Sequence, residues 1–152
     1  MPDPLAFMMG KYAAVLPADL YFASNHMWCR RVDDVLRFGF SAYAVRLMQD
    51  VYFLDWSVDD GTEVSLKQRI GNIETSKAVS DLFAPLAGTV RRINRDLLKD
   101  PSAINVDNYG RGWLFEMAGD AKDLMSAEQY RAFLASEWER AQRVIKGQIN
   151  KE

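Results

Sequence analysis

GNIETSKAVSDLFAPLAG, Gly71 to Gly88, sets two short β-prone runs on either side of a single lysine. Ile70 to Ile73 and Val79 to Phe83 alternate apolar and polar residues, the period of a half-buried strand. The small residues between them predict a hairpin with Lys77 at its tip. A lysine at a turn is ordinarily just solvated. Three features single this one out. Ser76 and Ala78 leave its amine open to an approaching enzyme, and the alternating flanks predict a rigid tip. Ala84-Pro85-Leu86-Ala87-Gly88 then turns the chain sharply into another strand. One amine on a rigid, uncrowded tip suits covalent modification, where one residue must be chosen from many.

Outward from the hairpin the pattern stays mostly β. His26 to Val32 and Val35 to Phe40 read as strands joined at Asp33-Asp34. Ser41 is placed to cap a small helix with Tyr43, Leu47 and Met48 at helical spacing. Val51 to Trp56 is rich in β-branched and aromatic residues and is closed by Asp59-Asp60-Gly61. Arg69 to Thr75, Val79 to Ala84, Thr89 to Asn94 and GWLFEM add further strands, the last after a polar loop through DPSAINVDNYGRG. A capping box of Ser126 and Gln129 opens a C-terminal helix, with Tyr130, Phe133, Leu134, Trp138, Ala141 and Ile145 on one face. Leu5 to Leu16 reads as a short docking helix or irregular cover ending at Pro17. The expected fold is mainly β, a flattened barrel or sandwich of two antiparallel sheets. Its helices are a helical N-terminal segment, one small internal helix and a C-terminal helix. The predicted divisions are an N-terminal extension over 1–18, a core domain over 19–125 and a packed helix over 126–152.

Composition narrows the chemistry. The chain has 152 residues and a formal net charge of −2, so no large basic surface is implied and nucleic acid is disfavoured as a partner. One cysteine, Cys29, rules out an internal disulfide or a multi-thiolate zinc site, and one histidine, His26, a His-rich metal site. No apolar run approaches the roughly 18 residues of a membrane span, and the N-terminus lacks the positive start of a signal peptide. A soluble, cytoplasmic protein is expected. His26 and Cys29 are three apart and face opposite sides of an extended strand, which argues against a nucleophile pair. Arg91, Arg92 and Arg95 form a small basic cluster, either a docking patch or a solvated edge. No constellation suggests an enzyme.

ETSKAVSDLFAPLAG resembles the lipoylation hairpin of lipoyl carriers, with Lys77 in the position of the modified lysine. Biotin carriers normally place methionine on both sides of the lysine, unlike Ser76 and Ala78. His26-Met27-Trp28, Ser41-Ala42-Tyr43-Ala44 and Asp50-Val51-Tyr52-Phe53 precede the hairpin in order. Ile93-Asn94, Asp100-Pro101, Ile104-Asn105 and Asn108-Tyr109-Gly110-Arg111-Gly112-Trp113 follow it. This ordered set is similar to the glycine cleavage system H protein family over about Asp19 to Leu134.

The resemblance implies a hammerhead-like lipoyl/biotinyl-carrier fold and lipoic acid joined by an amide to Lys77. Glu74 and Asp81, flanking the tip, would help the lipoylating enzyme recognise it. The implied partners are a lipoate–protein ligase or lipoyl transferase, glycine decarboxylase, aminomethyltransferase and dihydrolipoamide dehydrogenase. The arm would take an aminomethyl group from the decarboxylase and pass it to the transferase. Several positions depart from the family pattern. Met27 replaces an acidic residue, Ser41-Ala42 replaces Thr-Asp, and Gln49 replaces a glycine. Extra residues stand at both ends, over 1–18 and 135–152, and the charge is only slightly acidic. These departures favour an H-like lipoate-binding protein of bacterial sulfur oxidation, working beside a heterodisulfide-reductase-like complex. The glycine cleavage carrier is the alternative, and a non-lipoylated interaction module a weaker one.

Overall fold

The structure is a computed structural model and describes residues 3–150, with side chains described through 140. In chain order the elements begin with β1 (Leu5–Met9), β2 (Tyr12–Leu16), β3 (Tyr21–Phe22), β4 (Met27–Val32), β5 (Val35–Phe40) and α1 (Ala42–Met48). There follow β6 (Val51–Trp56), β7 (Glu63–Val64), β8 (Arg69–Thr75), β9 (Val79–Phe83) and β10 (Gly88–Ile93). The chain ends with α2 (Asp96–Lys99), α3 (Ala103–Val106), β11 (Phe115–Gly119), β12 (Met125–Ser126) and α4 (Ala127–Asn150). The strands form a seven-stranded sheet in the order β12-β3-β4-β5-β11-β10-β7, a three-stranded sheet β6-β8-β9 and the pair β1-β2. Every pairing among them is antiparallel. The mainly β sandwich read from the sequence is the observed architecture.

Alternation along β4 shows how the layers are held. Met27 and Cys29 enter the core between the two larger sheets, where Phe38 stacks on Phe115 at 5.4 Å and Trp56 meets Phe115 edge-on at 5.6 Å. Trp28, between them, enters a second core on the other face of the seven-stranded sheet. Its cross-strand partner is Gly39, where a Cβ would lie 2.6 Å from the indole. That missing side chain lets the ring lie across the sheet while its Nε1 donates to the Asn108 carbonyl at 2.8 Å. The Asp33-Asp34 turn between β4 and β5 forms as expected, with Asp33 at a left-handed φ of 55°.

The N-terminal segment corrects the expectation of a helix. Leu5–Met9 and Tyr12–Leu16 pair as a hairpin, with Met9 opposite Tyr12 across Gly10-Lys11. The physical reason is period. Phe7, Met9, Ala14 and Leu16 are buried at every second position, and Gly10 takes a φ of 64° that a helix interior cannot use. Helix-forming Ala, Leu and Met suggested otherwise, and tertiary packing overrode them. The hairpin and α4 together cover the second core, where Phe7, Tyr43 and Trp138 meet edge-on at 5.8 to 6.4 Å.

The capping box forms as read: Gln129 N–H donates to Ser126 Oγ at 3.2 Å and Ser126 N–H to Gln129 Oε1 at 2.9 Å. Tyr130 and Leu134 are fully buried, whereas the side chains of Ala141 and Ile145, expected on the same face, lie outside the described residues. The loop expected over DPSAINVDNYGRG contains α3, and α2 stands just before it. Both are single turns, too short for periodicity to reveal. The basic cluster disperses into separate ion pairs: Arg91 with Asp34, Arg92 with Glu116 and Arg95 with Asp60.

The Tyr130 hydroxyl lies 2.8 Å from both His26 Nδ1 and Ser41 Oγ, tying α4 to the sheet and to the start of α1. Burial holds the His26 imidazole below its ordinary value of 6.5, against an opposing pull from the Glu137 carboxylate. The unfolded chain therefore takes up this proton first as pH falls, and the fold loses stability below its ordinary value. Urea unfolding midpoints should drop between about pH 7.5 and about pH 5.5, and the slope should flatten in His26→Asn.

Candidate functional site

The hairpin β8–β9 is braced on its own account and from the side. Within it, Thr75 closes the tip: its N–H donates to the Ala78 carbonyl at 2.9 Å, and its Oγ1 accepts from the Lys77 and Ala78 amides at 3.2 and 3.3 Å. From the side, Ser76 N–H donates to the Asp50 carbonyl at 2.9 Å while Asp50 N–H donates to Ser76 Oγ at 3.2 Å. Asn105 fixes the start of β6 in turn, its Oδ1 accepting from Val51 N–H and its Nδ2 donating to the Gln49 carbonyl. At the far end, Gly71 lets β8 approach β6 closely, since a Cβ there would lie 2.3 Å from the Asp55 carbonyl oxygen. The tip is held at three places.

Lys77 projects from this frame. It is exposed between exposed Ser76 and Ala78, and its amine has no hydrogen bond or ion pair among the described residues. The expected openness and rigidity are both present. Glu74 is exposed on the same sheet, opposite Val79 and Phe53 in one row across the three strands. Asp81 lies further from the tip, opposite Asn72, and is held by Arg69 at 2.9 Å. The two acids thus share the outer face but differ in availability. Glu74 is uncommitted among the described residues and Asp81 is partnered. The bonds by which Thr75, Ser76, Asp50 and Asn105 set the tip's shape were not legible in the sequence. A serine or threonine beside a turn was the only local signal.

The other chemistry-bearing residues lie elsewhere. Cys29 is buried in the inner core, and desolvation pushes its thiol up to about 12. His26 sits on the opposite face against Tyr43, Tyr130 and Phe133, so the two form no nucleophile pair. Among the described residues no group of His, Cys, Asp and Glu could hold a metal ion, and no helix is long and apolar enough to cross a membrane.

A small β domain that holds an exposed amine on a braced tip has the form of a carrier, a substrate for other enzymes. Residues 20–137 match the protein-family model described as Glycine cleavage H-protein. The glycine cleavage system H protein of Mycobacterium tuberculosis (strain H37Rv) is 38% identical over 130 residues, covering 78% of this chain and 96% of that protein. The one from Mycolicibacterium smegmatis is 39% identical over 125 residues, covering 77% and 95%. The crystal structure of a glycine cleavage system H protein from Mycobacterium marinum superimposes with a TM-score of 0.69. It is 29% identical, covering 79% of this chain and 99% of that one. The chain belongs to the glycine cleavage H-protein family. Its members are carriers rather than catalysts and hold lipoate covalently on a lysine.

Thr75→Val should loosen the tip alone. Losing the Oγ1 acceptor costs about 1 kcal/mol locally, so the Lys77 and Ala78 amides should exchange roughly fivefold faster by NMR while the global unfolding midpoint stays put.

Proposed function

We propose that this protein is the lipoyl carrier of glycine cleavage, lipoylated on Lys77 and carrying the aminomethyl group between glycine decarboxylase and aminomethyltransferase. The observation that carries this reading is the position of the free, braced amine inside the family match over 20–137. The residues present suit the group. The amine is unpaired among the described residues, its neighbours are small, and the amide links beneath it fix the arm's root. Attachment forms an amide between Lys77 Nζ and an activated lipoyl carboxyl group; the activating group leaves and the amine gives up a proton. Once bound, lipoate supplies reversible thiol–disulfide chemistry, with dihydrolipoamide dehydrogenase restoring the disulfide. The protein's own part is tethering, which raises the local concentration of the reacting end at each partner.

The sulfur-oxidation reading, with its heterodisulfide-reductase-like complex, gains no support from these relatives, and the glycine cleavage alternative is the better founded. Of the two tip acids, Glu74 is the one we assign to recognition by the ligase or transferase that installs the arm. Asp81 already spends its charge on Arg69. Glu74→Gln should lower kcat/KM for lipoylation by about three- to tenfold, the scale of a rim charge, and Asp81→Asn by less.

The deciding experiment is exchange of the glycine carboxyl with bicarbonate by glycine decarboxylase, driven by protein shown by mass to carry lipoate. Exchange at a rate comparable to an authentic H protein is expected. Lys77→Arg should fold, stay unmodified and drive none. An inert lipoylated protein beside an active control would sink the reading and make sulfur oxidation the next pathway to test.

A further inference from the structure

Beside the tip lies an open polar hollow of 430 Å³, lined by Tyr12, Val45, Arg46, Gln49, Asp50 and Asn105. It adjoins the arm's root through the paired bonds between Asp50 and Ser76, so an enzyme closing over Lys77 covers it. Arg46 holds no carboxylate among the described residues, a state it shares with Arg30, Arg31 and Arg131, whereas Arg69, Arg91, Arg92 and Arg95 each hold one. Its guanidinium instead lies 4.5 Å over the Tyr12 ring, a contact that uses none of its N–H donors.

Backbone strain points to the same place. Gln49 has φ 60° and ψ −134°, a conformation that glycine adopts at little cost and that other residues avoid. Two bonds enforce it: its N–H donates to the Val45 carbonyl and its carbonyl accepts from Asn105. The fold gains nothing from a side chain here, yet this one lines the hollow. Tyr12 comes from the β1–β2 hairpin, which lies outside the family match. A strained position and a hairpin outside the family match therefore meet at the foot of the arm.

We propose that this hollow is a docking socket for an acidic side chain of the enzyme that loads the lipoyl arm, its carboxylate taken bidentately by Arg46. Arg46, Gln49 and Asp50 are all exposed, so the site is a shallow depression that would leave a free small molecule largely in water. A side chain carried in by a docking protein needs no such enclosure. Asp50 is the one carboxylate in the lining and disfavours free anions, so recognition rests on the directional fork rather than on net positive charge. Elsewhere the exposed acids Glu74, Asp81 and Asp55 mark the face of the three-stranded sheet. Arg46, linked to the tip through Asp50 and Ser76, would set the register in which a partner settles.

This inference rests on the glycine cleavage reading, and the same exchange assay separates the two. With lipoylated protein as the varied substrate of glycine decarboxylase, Arg46→Glu should raise KM about tenfold with kcat unchanged. Arg46→Lys, which keeps the charge and loses the fork, should fall between. Arg91→Glu makes the same charge change on β10 and should leave KM as it was. Gln49→Gly should raise KM while raising the unfolding midpoint, a pairing that a purely structural role would not produce. Equal KM values for Arg46→Glu and Arg91→Glu would overturn the socket alone. A wild-type carrier that drives no exchange would overturn the socket and the pathway together.

Discussion

The contact between the hydroxyls of Ser41 and Tyr130, 2.8 Å apart and fully buried, is the joint on which the rest of the molecule turns. Ser41 caps α1, its Oγ accepting from the Ala44 amide, so whatever fixes Ser41 fixes the start of that helix. Tyr130 belongs to α4 and stacks on Phe22 at 4.4 Å, so the terminal helix is registered against the sheet by the same ring. From Ser41 the constraint runs down α1 to Gln49, across to Asp50 and then into Ser76 at the tip. The buried joint and the exposed lysine are one mechanical path. Each hydroxyl has a second partner, His26 Nδ1 for Tyr130 and the Ala44 amide for Ser41, so the joint is part of a satisfied buried network.

This division between an inner anchor and an outer amine suits a carrier. A tethered arm is useful only if its root is placed reproducibly, because the reach of a flexible chain is set by where it starts. The tip has little burial to hold it: Val79 and the tip residues Ser76, Lys77 and Ala78 are all exposed. Hydrogen bonds from Thr75, Ser76 and Asp50 take the place of packing. They can do so because the three-stranded sheet beneath is anchored by Ile70, Ile73 and Leu82 in the core.

The sequence made the parts governed by local pattern legible. The Asp33-Asp34 turn, the Ser41 cap and the Ser126–Gln129 box are local chemistry, and each formed as read. The strands flanking Lys77 formed, but not their even alternation: a bulge between Arg69 and Gly71 leaves Ile70 and Ile73 both buried, and Val79 and Phe83 are exposed. The N-terminal hairpin was misread because alanine, leucine and methionine favour a helix when counted by propensity. Only Gly10 at the centre and the second-position burial of Phe7, Met9, Ala14 and Leu16 point to strands. The single-turn helices α2 and α3 leave no periodic trace at all. Long-range pairs were invisible for a different reason. Nothing local tells that Asn105 will hold Gln49, or that Tyr12 will lie under Arg46.

Gln49 shows how the two kinds of information combine. In the sequence it is only a departure from the family's glycine, with nothing local to explain it. In the fold, φ is positive there and the helix C-cap bond holds it so, which turns an unexplained substitution into a strained one. Strain of this kind costs on the order of 1–3 kcal/mol and persists only where surrounding structure enforces it. Helix α1 and Asn105 supply that enforcement whichever residue is present, so the backbone conformation belongs to the fold. The side chain does not. It and Tyr12 of the β1–β2 hairpin, which lies outside the family match, line the same hollow beside the root of the arm.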